Sequence, residues 1–63
     1  MHTTRYLKEA EVASITGRAV QTLRNDRFRR TGIPYIKIGR SVRYSLEDVV
    51  SFMEARKIRP DAA

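Results

Sequence analysis

The chain of 63 residues sets 13 Lys and Arg against 7 Asp and Glu, a formal charge of +6 on 7.3 kDa, and a chain this short forms one domain whose single core buries only about 60% of the surface exposed on unfolding. With 41% apolar and 32% charged residues the composition is that of a folded domain, and no apolar run approaches the roughly 20 residues of a membrane span. There is no cysteine and one histidine, which excludes disulfides, thiolate zinc sites and cysteine nucleophiles.

Residues 1–5 lack the apolar stretch of a signal peptide and are expected to be flexible, with His2 given no role. A folded domain is expected over 6–57 and a flexible tail over 58–63. The first helix is expected from Lys8 to Thr16, where Val12, Ala13, Ile15 and Thr16 make a mostly apolar stripe at three-to-four spacing. Glu9 and Glu11 suit the positive end of its dipole, and Glu11 can complete half a capping box, although Lys8 is a poor N-cap, which leaves the start open by a residue or two.

Gly17 interrupts the chain before a second short helix, Ala19 to Arg29, with Ala19, Val20, Leu23 and Phe28 as its apolar content. At about 100° per residue Arg18, Gln21, Arg24 and Asn25 fall on the side away from Leu23. Gly32 and Pro34 stop this helix and bias Ile33 to extended backbone.

The run from Tyr35 to Tyr44 alternates on both sides of Gly39-Arg40-Ser41 and reads as a β-hairpin. A three-residue loop, Gly39 to Ser41, would pair Ile38 with Val42 and Ile36 with Tyr44 and put all four on one buried face. Lys37 and Arg43 would then share the other face. Such loops favour Gly last, not first, which leaves the turn type open.

Ser45 begins a third helix as N-cap, with Asp48 three residues on. Leu46, Val49, Val50 and Met53 recur at helical spacing with Phe52 on the shoulder, and Arg56 and Lys57 close the helix in dipole-favourable order. The expected core is Val12, Ile15, Leu23, Ile36, Ile38, Val42, Leu46, Val49, Val50 and Met53, with Tyr44 and Phe52 added and Tyr6 and Tyr35 left open.

The charge is segregated along these elements. Between Arg18 and Arg43 lie eight basic residues and one acid, a net +7 in 26 positions, while the other 37 residues sum to −1. Seven of the eight are Arg, whose planar fork matches phosphate and guanine in a way that Lys does not. A merely solvated charged face is the competing account, and it is commoner where Lys and Glu are interspersed.

Helix, Gly-containing turn, helix, basic hairpin and helix make the layout of a small α+β fold, the winged helix-turn-helix. Ala13, Gly17 and Leu23 have its spacing: a small residue where the helices approach, a Gly four later for the turn, and an aliphatic residue six beyond it to lock the second helix.

Tyr6-Leu7, Glu11-Val12-Ala13, Gly17, Thr22-Leu23-Arg24-Asn25, the run Ile33-Pro34-Tyr35-Ile36-Lys37-Ile38-Gly39-Arg40-Ser41-Val42-Arg43-Tyr44, and Leu46-Glu47-Asp48-Val49 together resemble small phage excisionases and related regulators of mobile elements. Their fold is a MerR-like winged helix. The resemblance covers residues 5 to 56 and implies binding of duplex DNA, with the second helix in the major groove and the wing at the adjacent minor groove. It further implies a recombination directionality factor that bends attachment-site DNA and assists an integrase or recombinase, or else a small transcriptional regulator of the element. The chain departs from the family pattern at Lys8 and Ala19, where Ser or Thr is usual, at Arg18, where the turn is usually aliphatic, and at Asp26, where an aromatic is common.

On this basis Gln21, Arg24 and Asn25 are the expected base readers, since Gln and Asn pair with adenine and Arg with guanine. Arg18, Thr22, Arg27, Arg29 and Arg30 are expected on the DNA backbone, and Lys37, Arg40, Ser41 and Arg43 form the wing contact, with Arg40 at the tip. Deterrence of edge pairing is a competing account of Lys37. An RNA-binding module and an adaptor working by protein contact compete with duplex-DNA binding as accounts of the whole chain. No catalytic or metal-binding residue, cofactor, membrane or small-molecule ligand is expected: paired acid/base groups, a phosphate loop and a ligand cluster are all missing from the pattern. The expected setting is cytoplasmic, at the nucleoid. Oligomeric state stays open, and a monomer binding cooperatively on DNA is compatible with the sequence.

Overall fold

Tyr6-Leu7 is too short to carry any periodicity, yet pairing makes it a strand, β1, and this is the element that sequence pattern alone misses. In the computed structural model, which describes residues 4–60, the elements run β1 (Tyr6–Leu7), α1 (Glu9–Thr16), α2 (Val20–Phe28), β2 (Ile36–Ile38), β3 (Ser41–Ser45) and α3 (Leu46–Ala55). The sheet is antiparallel in the order β1-β3-β2. Leu7 lies opposite Tyr44 and Tyr6 opposite Ser45, and the Leu46 N–H donates to the Arg5 carbonyl at 2.8 Å. The strand therefore ties the entry of the chain to the start of α3. The expected flexibility of 1–3 and 61–63, like His2, lies outside the described residues.

Helix α1 begins one residue later than expected, with Lys8 as N-cap in extended backbone. A Lys ammonium cannot accept a hydrogen bond, so only half of a capping box forms: the Glu11 carboxylate accepts from the Lys8 N–H at 3.0 Å. Gly17 ends the helix at φ 73, and its N–H donates to the Ala13 carbonyl at 2.9 Å. A side chain there would be strained in this left-handed conformation, so the turn between α1 and α2 rests on glycine.

Helix α2 stops at Phe28, ahead of Gly32 and Pro34. The Arg30 N–H donates to Arg27 O at 3.0 Å and the Thr31 N–H to Asp26 O at 2.8 Å. These two bonds are a Schellman motif, in which the residue after the C-cap is left-handed and usually Gly. Here it is Arg30, at φ 59.

The hairpin differs from expectation in register. Ile36 lies opposite Arg43, Lys37 opposite Val42 and Ile38 opposite Ser41, so the loop has two residues, Gly39 and Arg40. Gly39 takes φ 58 and Arg40 does not take a positive φ, the sign pattern of a type II′ turn, for which Gly belongs first. The one-residue difference exchanges faces. Lys37 shares the side of Val42 and Tyr44, whereas Arg43 shares the opposite side with Ile36 and Ile38, so Lys37 and Arg43 do not project together.

The core consists of Leu7, Val12, Leu23, Ile33, Tyr44 and Val49, with Ala13, Val42, Leu46 and Phe52 packed against it. Ile36 and Ile38 are 40% and 66% exposed, and Ile15, Val50 and Met53 are exposed too, which corrects their expected burial. The reason for the first pair is the register. For the others it is the lack of a further layer among the described residues: α3 turns Val49 and Phe52 to the sheet side, and nothing described covers its Val50-Met53 edge. Ser45 caps α3 as expected, accepting from the Asp48 N–H at 3.0 Å.

Arg18 and Asp26, two of the positions that depart from the pattern of the resemblance, account for each other. Arg18 Nη2 donates to Asp26 Oδ2 at 2.7 Å, and the Arg18 guanidinium lies 5.8 Å from the Phe52 ring centre. A half-buried ion pair thus joins the turn to α2, and its guanidinium also reaches the Phe52 ring of α3, at two positions where the resemblance leads one to expect apolar side chains.

Candidate nucleic-acid interface

The surface begins at the buried Tyr44, the only core side chain with a polar tip among the described residues. Its hydroxyl accepts from Arg27 Nη1 at 2.6 Å, and the Arg27 guanidinium lies 5.7 Å from the Tyr35 ring and 6.0 Å from that of Tyr44. Arg27 Nη2 in turn donates to Glu9 Oε2 at 3.1 Å. Glu9 also receives the Arg24 fork, with Nη2 to Oε1 at 2.6 Å and Nε to Oε1 at 3.2 Å. A chain of contacts therefore runs from the core outward, Tyr44 to Arg27 to Glu9 to Arg24. It fixes the Arg24 side chain while leaving it 54% exposed, against 16% for Arg27.

The Arg24 hydrogen bond holds the Glu9 carboxyl below its ordinary range; partial desolvation opposes this, and Arg27 adds to the lowering. Glu9 is therefore an anion at neutral pH, suited to hold two guanidinium groups. Sequence reasoning missed Glu9 and Tyr44 as parts of the site. Glu9 looked only like a dipole partner, and the signal was its position at the first residue of α1, which the helix crossing brings over α2.

Gln21 and Asn25 lie exposed beside Arg24, with Gln21 Nε2 donating to Asn25 Oδ1 at 3.1 Å, one helical turn apart. The three expected base readers thus share one face. Thr22 is half-buried next to them. Two adjoining clefts separate α2 from the wing. One is lined by Lys8, Glu9, Arg24, Arg27, Arg40 and Arg43, with Ser41 at its edge; the other has Phe28, Tyr35, Lys37 and Gly39 beside Arg24, Arg27 and Arg40. All four expected wing residues thus border a cleft beside α2, Lys37 from the Val42 side of the hairpin and Ser41 and Arg43 from its other side, with Arg40 at the turn between them. Arg43 also donates from Nη1 to the Val42 carbonyl at 2.9 Å.

Three of the expected backbone-binding arginines stand elsewhere or are already engaged. Arg18 is occupied by Asp26, and Arg27 is turned inward. Arg30 lines a separate recess with Thr31 to Tyr35. Arg29 and Arg30 are exposed at the end of α2 and make no side-chain ion pair among the described residues. No helix among the described residues is long and apolar enough to cross a membrane.

A helix-turn-helix with a cationic wing facing the second helix defines a class of DNA-binding domain. Residues 6–57 match the helix-turn-helix domain family, and the chain belongs to it, a family of small DNA-binding, excisionase-like domains. No curated protein and no solved structure is significantly similar to the chain.

Proposed function

We propose that the chain is a sequence-selective duplex-DNA-binding accessory factor, an excisionase of a phage or integrated mobile element. Helix α2 reads the major groove through Gln21, Arg24 and Asn25, and the wing follows the minor groove through Arg40, with Lys37, Ser41 and Arg43 on its flanks. The observation that carries this reading is the open space between α2 and the wing, walled by cations from both sides. A phosphate ridge between two grooves fits there, since each groove edge then meets a different element.

The work required is binding and bending of DNA, with the covalent steps left to a recombinase, so the chain itself needs no catalytic group or cofactor. Such a role places it in the cytoplasm with chromosomal DNA. Membership of a helix-turn-helix family supports DNA binding, and transcriptional control of the element is the second reading.

Binding should weaken steeply with salt. If about five basic groups meet phosphates, log K falls against log[salt] with a slope near −4.5. In the same assay Arg24→Ala should cut the preference for the selected site over unrelated duplex by roughly tenfold, while Arg29→Ala weakens both alike. A flat salt response rejects DNA binding, and equal effects of the two substitutions reject α2 as the reader. Excisive recombination of an attachment-site substrate with its integrase, measured with and without the chain, tests the excisionase role separately.

A further inference from the structure

Phe28 is 90% exposed, although the core of this small domain has only six buried side chains among the described residues. Leaving a phenyl ring in water forgoes a stabilisation that such a domain can ill spare, so its location matters. It is the last residue of α2. At about 100° per residue it lies roughly 20° from Gln21 and within the arc spanned by Arg24 and Asn25. Phe28 therefore extends the reading face by one turn at its C-terminal end, seven residues from Gln21 and four from Arg24. It also lines the cleft with Arg24, Lys37, Gly39 and Arg40. An apolar ring that shares a cleft with three cations matches a surface that is anionic at its rim and apolar at one point. The thymine 5-methyl group on the floor of a phosphate-walled major groove is such a surface.

We infer that Phe28 is a base-reading residue that contacts a thymine methyl group in the major groove. This rests on the proposal that α2 enters that groove. A protein partner would also cover a phenyl ring, but a ring on the face of three proposed base readers that shares its cleft with Arg24, Lys37 and Arg40 is matched in charge to nucleic acid. Edge reading rather than wedging between bases follows from its position on the helix face, level with the polar readers.

The test uses the full chain and a preferred duplex selected from random sequences. Each thymine is replaced in turn by deoxyuridine, which removes only the methyl group. With the wild-type chain, replacement at one or two positions should weaken binding about three- to fivefold, the size of one buried methyl group. With Phe28→Ala the same replacements should make no difference, and Phe28→Ala should bind the selected duplex more weakly with little change on unrelated duplex. Phe28→Leu should retain most of the discrimination. Because the ring is exposed, thermal melting of Phe28→Ala should match the wild type, separating contact from folding. The inference is overturned if Phe28→Ala binds the selected duplex like the wild type, as it would if a protein partner covered the ring, or if both chains respond equally to every uridine. Failure of the wild-type chain to retain any duplex would instead reject DNA binding itself, and this inference with it.

Discussion

Helix α2 and the wing bring cations to the same surface and hold them in opposite ways. Arg24 and Arg27, with Arg18 just before the helix, are each paired inside the protein, to Glu9, to Tyr44 and to Asp26. Lys37 and Arg40 make no ion pair among the described residues. A paired guanidinium has lost its rotamer freedom when the chain folds, so less is lost when it docks. It must, however, exchange a carboxylate for the ligand. An unpaired side chain keeps its full charge for long-range attraction and adjusts to whatever phosphate it meets. Under the proposed function the contrast divides the labour: α2 is the element suited to selectivity and the wing the one suited to attraction.

The largest effect should come from breaking a pair. Asp26→Ala leaves Arg18 half-buried, with a buried Nε that already lacks a hydrogen-bond partner among the described residues. A loss of about 1–3 kcal/mol is expected for a charge stripped of its partner in this way, read from urea unfolding. Lys37→Ala should leave the same transition unmoved. If both substitutions are neutral, the paired arginines are not structural and the contrast fails.

The wing gives the next effect. Lys37→Ala with Arg40→Ala should reduce the salt slope by about 1.8 and weaken binding to every duplex roughly tenfold at moderate salt, without changing which site is preferred. A shift in preference would show that the wing reads sequence.

That contrast was only partly visible in the sequence. The segregation of charge between Arg18 and Arg43 and the alternation around Gly39 exposed both cationic elements. The spacing of Ala13, Gly17 and Leu23 exposed the turn. What stayed hidden depended on a second partner in space. Residues 6 and 7 become a strand only because β3 lies beside them. Hydrophobic patterning of the wing asks for a register with Ile36 and Ile38 inside, but the turn chemistry of Gly39 decided otherwise and turned them out. In the same way Arg18, Arg24 and Arg27 look alike as cations in sequence. Their partners Asp26, Glu9 and Tyr44 lie 8, 15 and 17 positions away in the chain, beyond the reach of any helical periodicity.

Glu9 is where the two modes of holding charge meet, and Glu9→Gln sharpens the comparison with a smaller effect. Removing an anion beside Arg24, Arg27, Arg40 and Arg43 should raise affinity for all duplexes about threefold, while the loss of the fixed Arg24 geometry lowers selectivity. The pH dependence has a definite sign. Because the folded state holds the Glu9 carboxyl below its ordinary value of 4.5, its contribution to stability is present above that value and fades as pH falls through the lowered one. Unfolding measured from neutral to acid pH should therefore lose stability in that window for the wild type and lose less of it in Glu9→Gln. An unchanged acid limb would mean that the Glu9 contacts do not persist in solution.

The smallest effects concern two cations, without an ion pair among the described residues, that stand where stability prefers another residue. Arg30 occupies the left-handed position of the Schellman motif at φ 59, which Gly adopts without steric cost and a side chain does not. Lys8 occupies an N-cap whose side chain accepts no hydrogen bond, where Ser would supply one. Arg30→Gly and Lys8→Ser should each stabilise the fold by roughly 0.5–1 kcal/mol. Each should also weaken DNA binding about twofold and reduce the salt slope by up to about 0.9. Opposed signs on folding and binding are the mark of a position held for function. Arg30 makes the sharper case, because it lies outside the two clefts shared with the wing. A slope change there would extend the phosphate track past the end of α2. Stabilisation with no change in slope would confine the track to the clefts and leave the strain at Arg30 without a binding role.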